Sequence, residues 1–116
     1  MARILVVDDE PAVRGALTAH LQAMGHECTE AANGLEALSR LHERSYDLVL
    51  TDVAMPQMNG LQFLHRVMPY LADRIPIVLL SSVDDRGAIT SALGIGAYDY
   101  LPKPAESDDV KRVVAG

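Results

Sequence analysis

An α/β fold, with a parallel five-stranded sheet of order 2-1-3-4-5 between two layers of helices, is predicted by three features of the sequence. Three short apolar runs, at residues 4–7, 48–50 and 77–80, are continuous rather than alternating, as strands buried on both faces of a sheet require. Stretches whose apolar residues recur every three or four positions separate these runs. Two further strand-like segments are distinctly more polar, which places them at the edges of the sheet.

Composition sets the frame. The 116 residues suit one domain, and with 49% of them hydrophobic a substantial core can form. No apolar run approaches the roughly 20 residues that span a bilayer. The start, Met1-Ala2-Arg3-Ile4, enters a strand-like segment without a signal-peptide pattern. Cys28 is the single cysteine, which excludes an intrachain disulfide and agrees with a reducing compartment. A cytoplasmic location is therefore expected. The formal charge of −6 speaks against nucleic-acid binding by this segment, because phosphate neutralisation needs a basic surface.

The elements follow in order. Ile4-Leu5-Val6-Val7 forms the first strand. Pro11 suits a first helical turn, after which Val13, Leu17, Leu21 and Met24 share one face and Gly25 is a stop signal. His26 to Ala31 mixes Glu27, Cys28, Thr29 and Glu30 and reads as an edge strand. Asn33-Gly34 opens the second helix, where Leu35, Leu38 and Leu41 recur at intervals of three. Leu48-Val49-Leu50 is the third strand. Gly60 precedes a helix whose inward positions are Leu61, Leu64, Val67 and Met68. Ile77-Val78-Leu79-Leu80 is the fourth strand. Residues 86–95 form a weaker helix, since Gly87 and Gly94 lower its propensity. Ala97 to Leu101 reads as the second edge strand. Ser107 caps a short fifth helix, with Asp108 and Asp109 in its first turn and Lys111 and Arg112 near its end, matching the helix dipole. Right-handed crossovers then place helices on both faces, giving a flavodoxin-like (βα)5 three-layer sandwich.

Chemistry gathers where these strands end. The first runs into Asp8-Asp9-Glu10, the third into Thr51-Asp52, the fourth into Ser81-Ser82 and the fifth into Pro102-Lys103-Pro104. Open α/β sheets bind ligands outside the carboxyl ends of their strands. Carboxylates brought together there repel one another, and a hard divalent cation relieves that repulsion. Mg²⁺ takes one or two carboxylates, keeps several waters and binds phosphate oxygens. Lys103 offers a second positive charge for a phosphoryl oxygen, and Ser81 a hydrogen bond. Aspartate is itself a nucleophile that forms aspartyl-phosphate. Alone, Asp8 and Asp9 would read as a helix cap or a solvated turn; it is the register of all four strand ends that points to a site. The histidines (His20, His26, His42, His65) lie away from the acidic residues, with solvent exposure as their default reading, and Cys28 reads as a small buried side chain.

Asp8-Asp9, the stretch from Asp47 through Asp52 and Pro56 to Gly60, Ser81, and Gly96 through Lys103-Pro104 together resemble a response-regulator receiver domain of two-component signalling, over residues 3 to about 104. The resemblance implies that Asp52 accepts a phosphoryl group from the phosphohistidine of a sensor kinase or phosphotransfer protein. It implies Mg²⁺ as cofactor, with Mn²⁺ as a substitute. Asp9 and Asp52 would be direct ligands, Asp8 would act through a water, and Ala54 would give its backbone carbonyl. Lys103 would hold the phosphoryl group, its bond to Pro104 being cis. Ser81 and Tyr100 would switch together and alter the surface of the fourth and fifth helices, the face for an output domain, a downstream protein or, in the phosphorylated form, a second copy. Such a domain catalyses only its own phosphorylation and slow dephosphorylation.

Some positions depart from the family pattern. Ser82 stands where Ala or Gly is usual, and Ala54 and Val83 offer no polar group to orient a water, so slow hydrolysis of the phosphoryl group is expected. Ala105 replaces a frequent aromatic, and the fifth helix is short. Residues 1–116 are thus expected to be a single receiver domain at the N-terminus of a longer regulator. Three other readings fit the sequence less well. A haloacid-dehalogenase-type phosphatase wants Asp-x-Asp after the first strand. An FMN binder wants a Ser/Thr/Gly-rich first loop, where Asp8-Asp9-Glu10 would repel its phosphate. An interaction-only receiver normally lacks the acceptor or the lysine.

Overall fold

The computed structural model describes residues 2–53, 58–71, 75–81, 86–102 and 107–115. Five parallel strands, β1 (Arg3–Val7), β2 (Glu27–Ala31), β3 (Leu48–Asp52), β4 (Ile77–Ser81) and β5 (Asp99–Pro102), form one sheet in the order β2-β1-β3-β4-β5. The expected topology is the observed one. Between and after the strands lie α1 (Pro11–Ala23), α2 (Gly34–Glu43), α3 (Gly60–Leu71), α4 (Arg86–Ile95) and α5 (Ser107–Ala115).

Strand alternation divides the core in two. Leu5 and Val7 of β1, Val49 of β3, and Ile77 and Leu79 of β4 pack with Ala37 of α2, Phe63, Leu64 and Val67 of α3, and Ala92 of α4. Ile4, Val6, Leu48, Leu50, Val78, Leu80 and Leu101 point the other way, against Leu17 and Leu21 of α1 and Val110 of α5. Helices therefore cover both faces, and the three interior strands are apolar on both sides because both sides are buried. Each fully buried Leu, Ile, Val or Phe stabilises this arrangement by roughly 1.5–3 kcal/mol relative to exposure.

Local chemistry sets the helix ends. The Asn33 side chain accepts a hydrogen bond from the Glu36 amide at 2.9 Å, while Glu36 Oε1 accepts from the Ala32 amide at 3.2 Å. Asn59 and Gln62 make a reciprocal pair at the start of α3, at 2.9 and 3.0 Å, a capping box in geometry. After α1 the chain turns at Gly25, whose φ of 91° favours glycine. Helix α3 begins at Gly60 itself, one residue earlier than the sequence indicates.

Two inward positions differ from expectation. On α2 the stripe toward the sheet is Gly34, Ala37, Leu38 and Leu41, and Leu35 is 49% exposed. On α3 the fully buried Phe63 joins Leu64, Val67 and Met68, with Leu61 only partly buried.

Cys28 on edge strand β2 is half-buried rather than buried. Desolvation, then the carboxylates of Glu30 and Glu27, push its thiol from the ordinary 9.0 up to about 11. The folded chain thus keeps this proton where the unfolded chain loses it, so the Cys28 contribution to stability falls as pH rises from about 9 toward 11. Alkylation of the native thiol at pH 8 is expected to run about a hundredfold slower than in the urea-unfolded chain, because only the thiolate reacts. Equal native and unfolded rates would contradict this burial.

Candidate functional site

The site is built from the carboxyl ends of the interior strands. Register pairs Val7 of β1 with Thr51 of β3, so the next residues, Asp8 and Asp52, leave the sheet side by side. Asp52 in turn pairs with Leu80 of β4, one position before Ser81. Asp8, Asp52 and Ser81 are buried, at 0%, 4% and 4% exposure, whereas Asp9 and Glu10 are exposed. Strands β3 and β4 run one or more residues beyond their apolar runs, so Asp52 and Ser81 are the last residues of strands and not the first of loops.

Backbone ties fix the acidic loop. The Asp8 amide donates to the Ala31 carbonyl on β2 at 3.1 Å. Asp8 Oδ1 accepts from the Glu10 amide at 2.9 Å. Arg14, one turn into α1, donates from Nη1 to the Asp8 carbonyl at 2.7 Å and from Nε to Glu30 Oε1 at 2.8 Å. Glu10 is the N-cap residue of α1 and makes no side-chain capping bond. Carboxylate oxygens of Asp8, Asp9 and Glu10 can lie within 4.8 Å of one another. An all-oxygen, anionic donor set of this kind suits Mg²⁺ or Mn²⁺ and not a soft metal.

The end of β3 at Asp52 is equally constrained. Thr51 is fully buried and its hydroxyl donates to the Asp52 carbonyl at 3.2 Å. The Gly60 amide donates to the Val53 carbonyl at 2.8 Å, closing the loop that leaves Asp52. A Cβ on Gly60 would run into the Asp52 carbonyl oxygen and come within 2.9 Å of Val53 Cα. Glycine is required here by close approach of the backbone, a role beyond that of marking a helix start.

Ser81 Oγ donates to the Leu101 carbonyl at 3.5 Å, a long bond that leaves the hydroxyl weakly held. Tyr100, on the neighbouring strand, is 43% exposed. Of the expected site residues, then, Asp8, Asp9, Asp52 and Ser81 share one end of the sheet. Ala54, Lys103 and Pro104 lie outside the described residues, as do Ser82, Val83 and Ala105. His42 and His65 are exposed, His20 and His26 half-buried, and His26 Nδ1 accepts from the Ala2 amide at 2.9 Å.

The family model for the response regulator receiver domain matches residues 4–115. The chain belongs to the receiver family. This receiver domain is 41% identical over 112 residues to the protein-glutamate methylesterase/protein-glutamine glutaminase of Agrobacterium fabrum, covering 93% of this chain and 31% of that protein. It is 35% identical over 111 residues to the DNA-binding transcriptional regulator NtrC of Escherichia coli, covering 96% and 24%. The chain thus spans about a quarter to a third of the length of these relatives. Among solved structures, the receiver domain of NtrX from Brucella abortus matches with a TM-score of 0.91 at 31% identity, over 97% of this chain and 94% of that one. A receiver domain protein from Clostridium thermocellum matches with a TM-score of 0.93 at 28% identity, over 99% and 92%. Receiver domains of two-component response regulators bind Mg²⁺ at an acidic pocket, and an acidic cluster, Asp8-Asp9-Glu10, is present here. No helix among the described residues is long and apolar enough to cross a membrane.

Proposed function

We propose that this receiver domain takes a phosphoryl group onto Asp52 from the phosphohistidine of a sensor kinase or phosphotransfer protein. The observation that carries this reading is the placement of Asp52, buried at the end of β3, between the acidic loop after β1 and the Ser81 hydroxyl at the end of β4. In the transfer, an Asp52 carboxylate oxygen forms a bond to phosphorus as the phosphorus–nitrogen bond of the donor breaks, and the imidazole leaves with a proton. Asp9 and Asp52 would hold Mg²⁺ directly, Asp8 through a water, and Ala54 through its carbonyl. The cation supplies neutralisation of charge on the transferring group. Lys103 holds a phosphoryl oxygen, and Ser81 turns from the Leu101 carbonyl to donate to another.

Inward rotation of Ser81 leaves space for Tyr100, and the change alters the surface of α4, β5 and α5. Both conformers pre-exist and phosphorylation shifts their populations; a change from 1:99 to 99:1 takes about 5.5 kcal/mol of preference. The recipient of that change is an output domain, a downstream protein or a second copy. The domain acts in the cytoplasm as one module of a longer regulator, catalyses only its own phosphorylation, and keeps the phosphoryl group longer than seconds.

The test is incubation with a small acyl-phosphate donor, followed by intact-mass measurement. Incorporation should require Mg²⁺ and vanish with a chelator; incorporation independent of the cation would sink the reading. Replacing Lys103 with Ala should slow incorporation by about a hundredfold, as loss of one preorganised electrostatic group does, while Mg²⁺ affinity measured by calorimetry stays within a few-fold. Loss of the cation instead would mean the lysine has another role.

A further inference from the structure

We infer that Arg14 is a positioning residue for the acidic loop: its guanidinium, aimed by Glu30, fixes the Asp8 carbonyl and so sets where the carboxylates of Asp8 and Asp9 stand. The inference rests on the reading of that loop as the cation site.

Three observations converge on it. Arg14 reaches back six residues to the Asp8 carbonyl at 2.7 Å, and its second contact, to Glu30 Oε1 at 2.8 Å, fastens the same guanidinium to edge strand β2. The Arg14 side chain is largely buried, and its partner Glu30 is the more exposed of the two. The Asp8 amide already donates to Ala31 on β2. Both backbone groups of Asp8 are thereby tied toward the same strand, one directly and one through Arg14. A planar fork with several fixed donors can satisfy a carbonyl and a carboxylate at once, which a lysine ammonium does less well.

The position on the helix is by itself unfavourable for a cation. Arg14 lies in the first turns of α1, where the helix dipole favours negative charge. It also stands beside a loop expected to receive Mg²⁺, and a positive charge there repels the ion. A simple charge at this place would weaken cation binding; a brace that holds the ligands in position would strengthen it. The two roles predict opposite signs for the same substitution.

The experiment is Mg²⁺ titration by calorimetry of the wild-type chain, Arg14→Met and Arg14→Lys, with thermal midpoints recorded alongside. Methionine keeps the buried stem and removes the guanidinium. If Arg14 positions the loop, Arg14→Met should bind Mg²⁺ about tenfold more weakly, the lower end of the loss found when groups supporting metal ligands are removed. Arg14→Lys should fall between the two. Unchanged or tighter binding by Arg14→Met overturns the inference and leaves a charge or a packing role. Should Arg14→Met not fold, Arg14→Lys decides: several-fold weaker binding supports the brace, and wild-type affinity overturns it. Wild-type binding must itself be lost in Asp9→Asn. A wild-type chain that binds no Mg²⁺, or an Asp9→Asn chain that still binds it, overturns the cation-site reading and this inference with it.

Discussion

Replacing Asp52 with Asn is expected to lower phosphoryl incorporation at least about a thousandfold, since it removes the nucleophile on which the proposed transfer depends. The fold should survive. Asn matches Asp in size, Asp52 sits at the end of a strand, and its backbone carbonyl keeps the hydrogen bond from the Thr51 hydroxyl. Removing one negative charge from the strand next to Asp8 also relieves repulsion when no cation is bound. The thermal midpoint without Mg²⁺ should therefore hold or rise, while Mg²⁺ affinity falls. Intact-mass analysis after donor treatment, set beside the midpoint, checks both halves. Wild-type incorporation in Asp52→Asn would move the acceptor elsewhere.

Gly60→Ala should be nearly as damaging, for a different reason. Alanine improves helix propensity over glycine by roughly 1 kcal/mol, yet its Cβ would collide with the Asp52 carbonyl oxygen and crowd Val53 Cα. Both obstacles are backbone, so neither can rotate aside. Overpacking of this kind costs typically about 1–3 kcal/mol, and two rigid contacts place Gly60 toward the upper part of that range. A net loss of about 2 kcal/mol is expected, visible as a drop of several degrees in the thermal midpoint. Incorporation should slow as well, because the atom displaced is the carbonyl of Asp52, the proposed acceptor. Gly15→Ala supplies the contrast. A Cβ there meets nothing within 4 Å, so the same substitution should stabilise α1 by about 0.5–1 kcal/mol. Equal effects at the two glycines would refute the close approach at Gly60.

The fold was largely legible because polarity alone ordered the strands. Glu27, Thr29 and Glu30 could only be tolerated at an edge, and unbroken runs such as Ile77 to Leu80 needed cover on both sides. The α2 stripe departs from the sequence pattern for a physical reason: leucines at 35, 38 and 41 suggest a three-residue repeat, but a helix turns every 3.6 residues. The small Gly34 and Ala37 occupy the tight contact, with Gly34 against Met58, and Leu35 is turned outward. Phe63 is hard to read from the sequence because the leucines around it fit the same spacing.

The carboxylates and the hydroxyl of the site were visible in the sequence because chemistry at strand ends is concentrated in position. Arg14 was not. Its role depends on a hydrogen bond to a main-chain carbonyl, and main-chain acceptors leave no trace in residue identity. The only available signal was a cation in the opening turns of a helix, against the dipole, directly after an acidic loop.

Strand β3 carries Asp52 in the middle of the sheet, with neighbours on both edges and side chains from both cores against it. Segments held on every side open only when the whole domain unfolds. A phosphoryl group added at Asp52 thus presses on the least yielding part of the molecule, and the anvil stays still while what rests on it moves. In the proposed switch, displacement runs outward, through Ser81 and the β4–β5 pair toward the rim, where β5 has only one neighbour to restrain it.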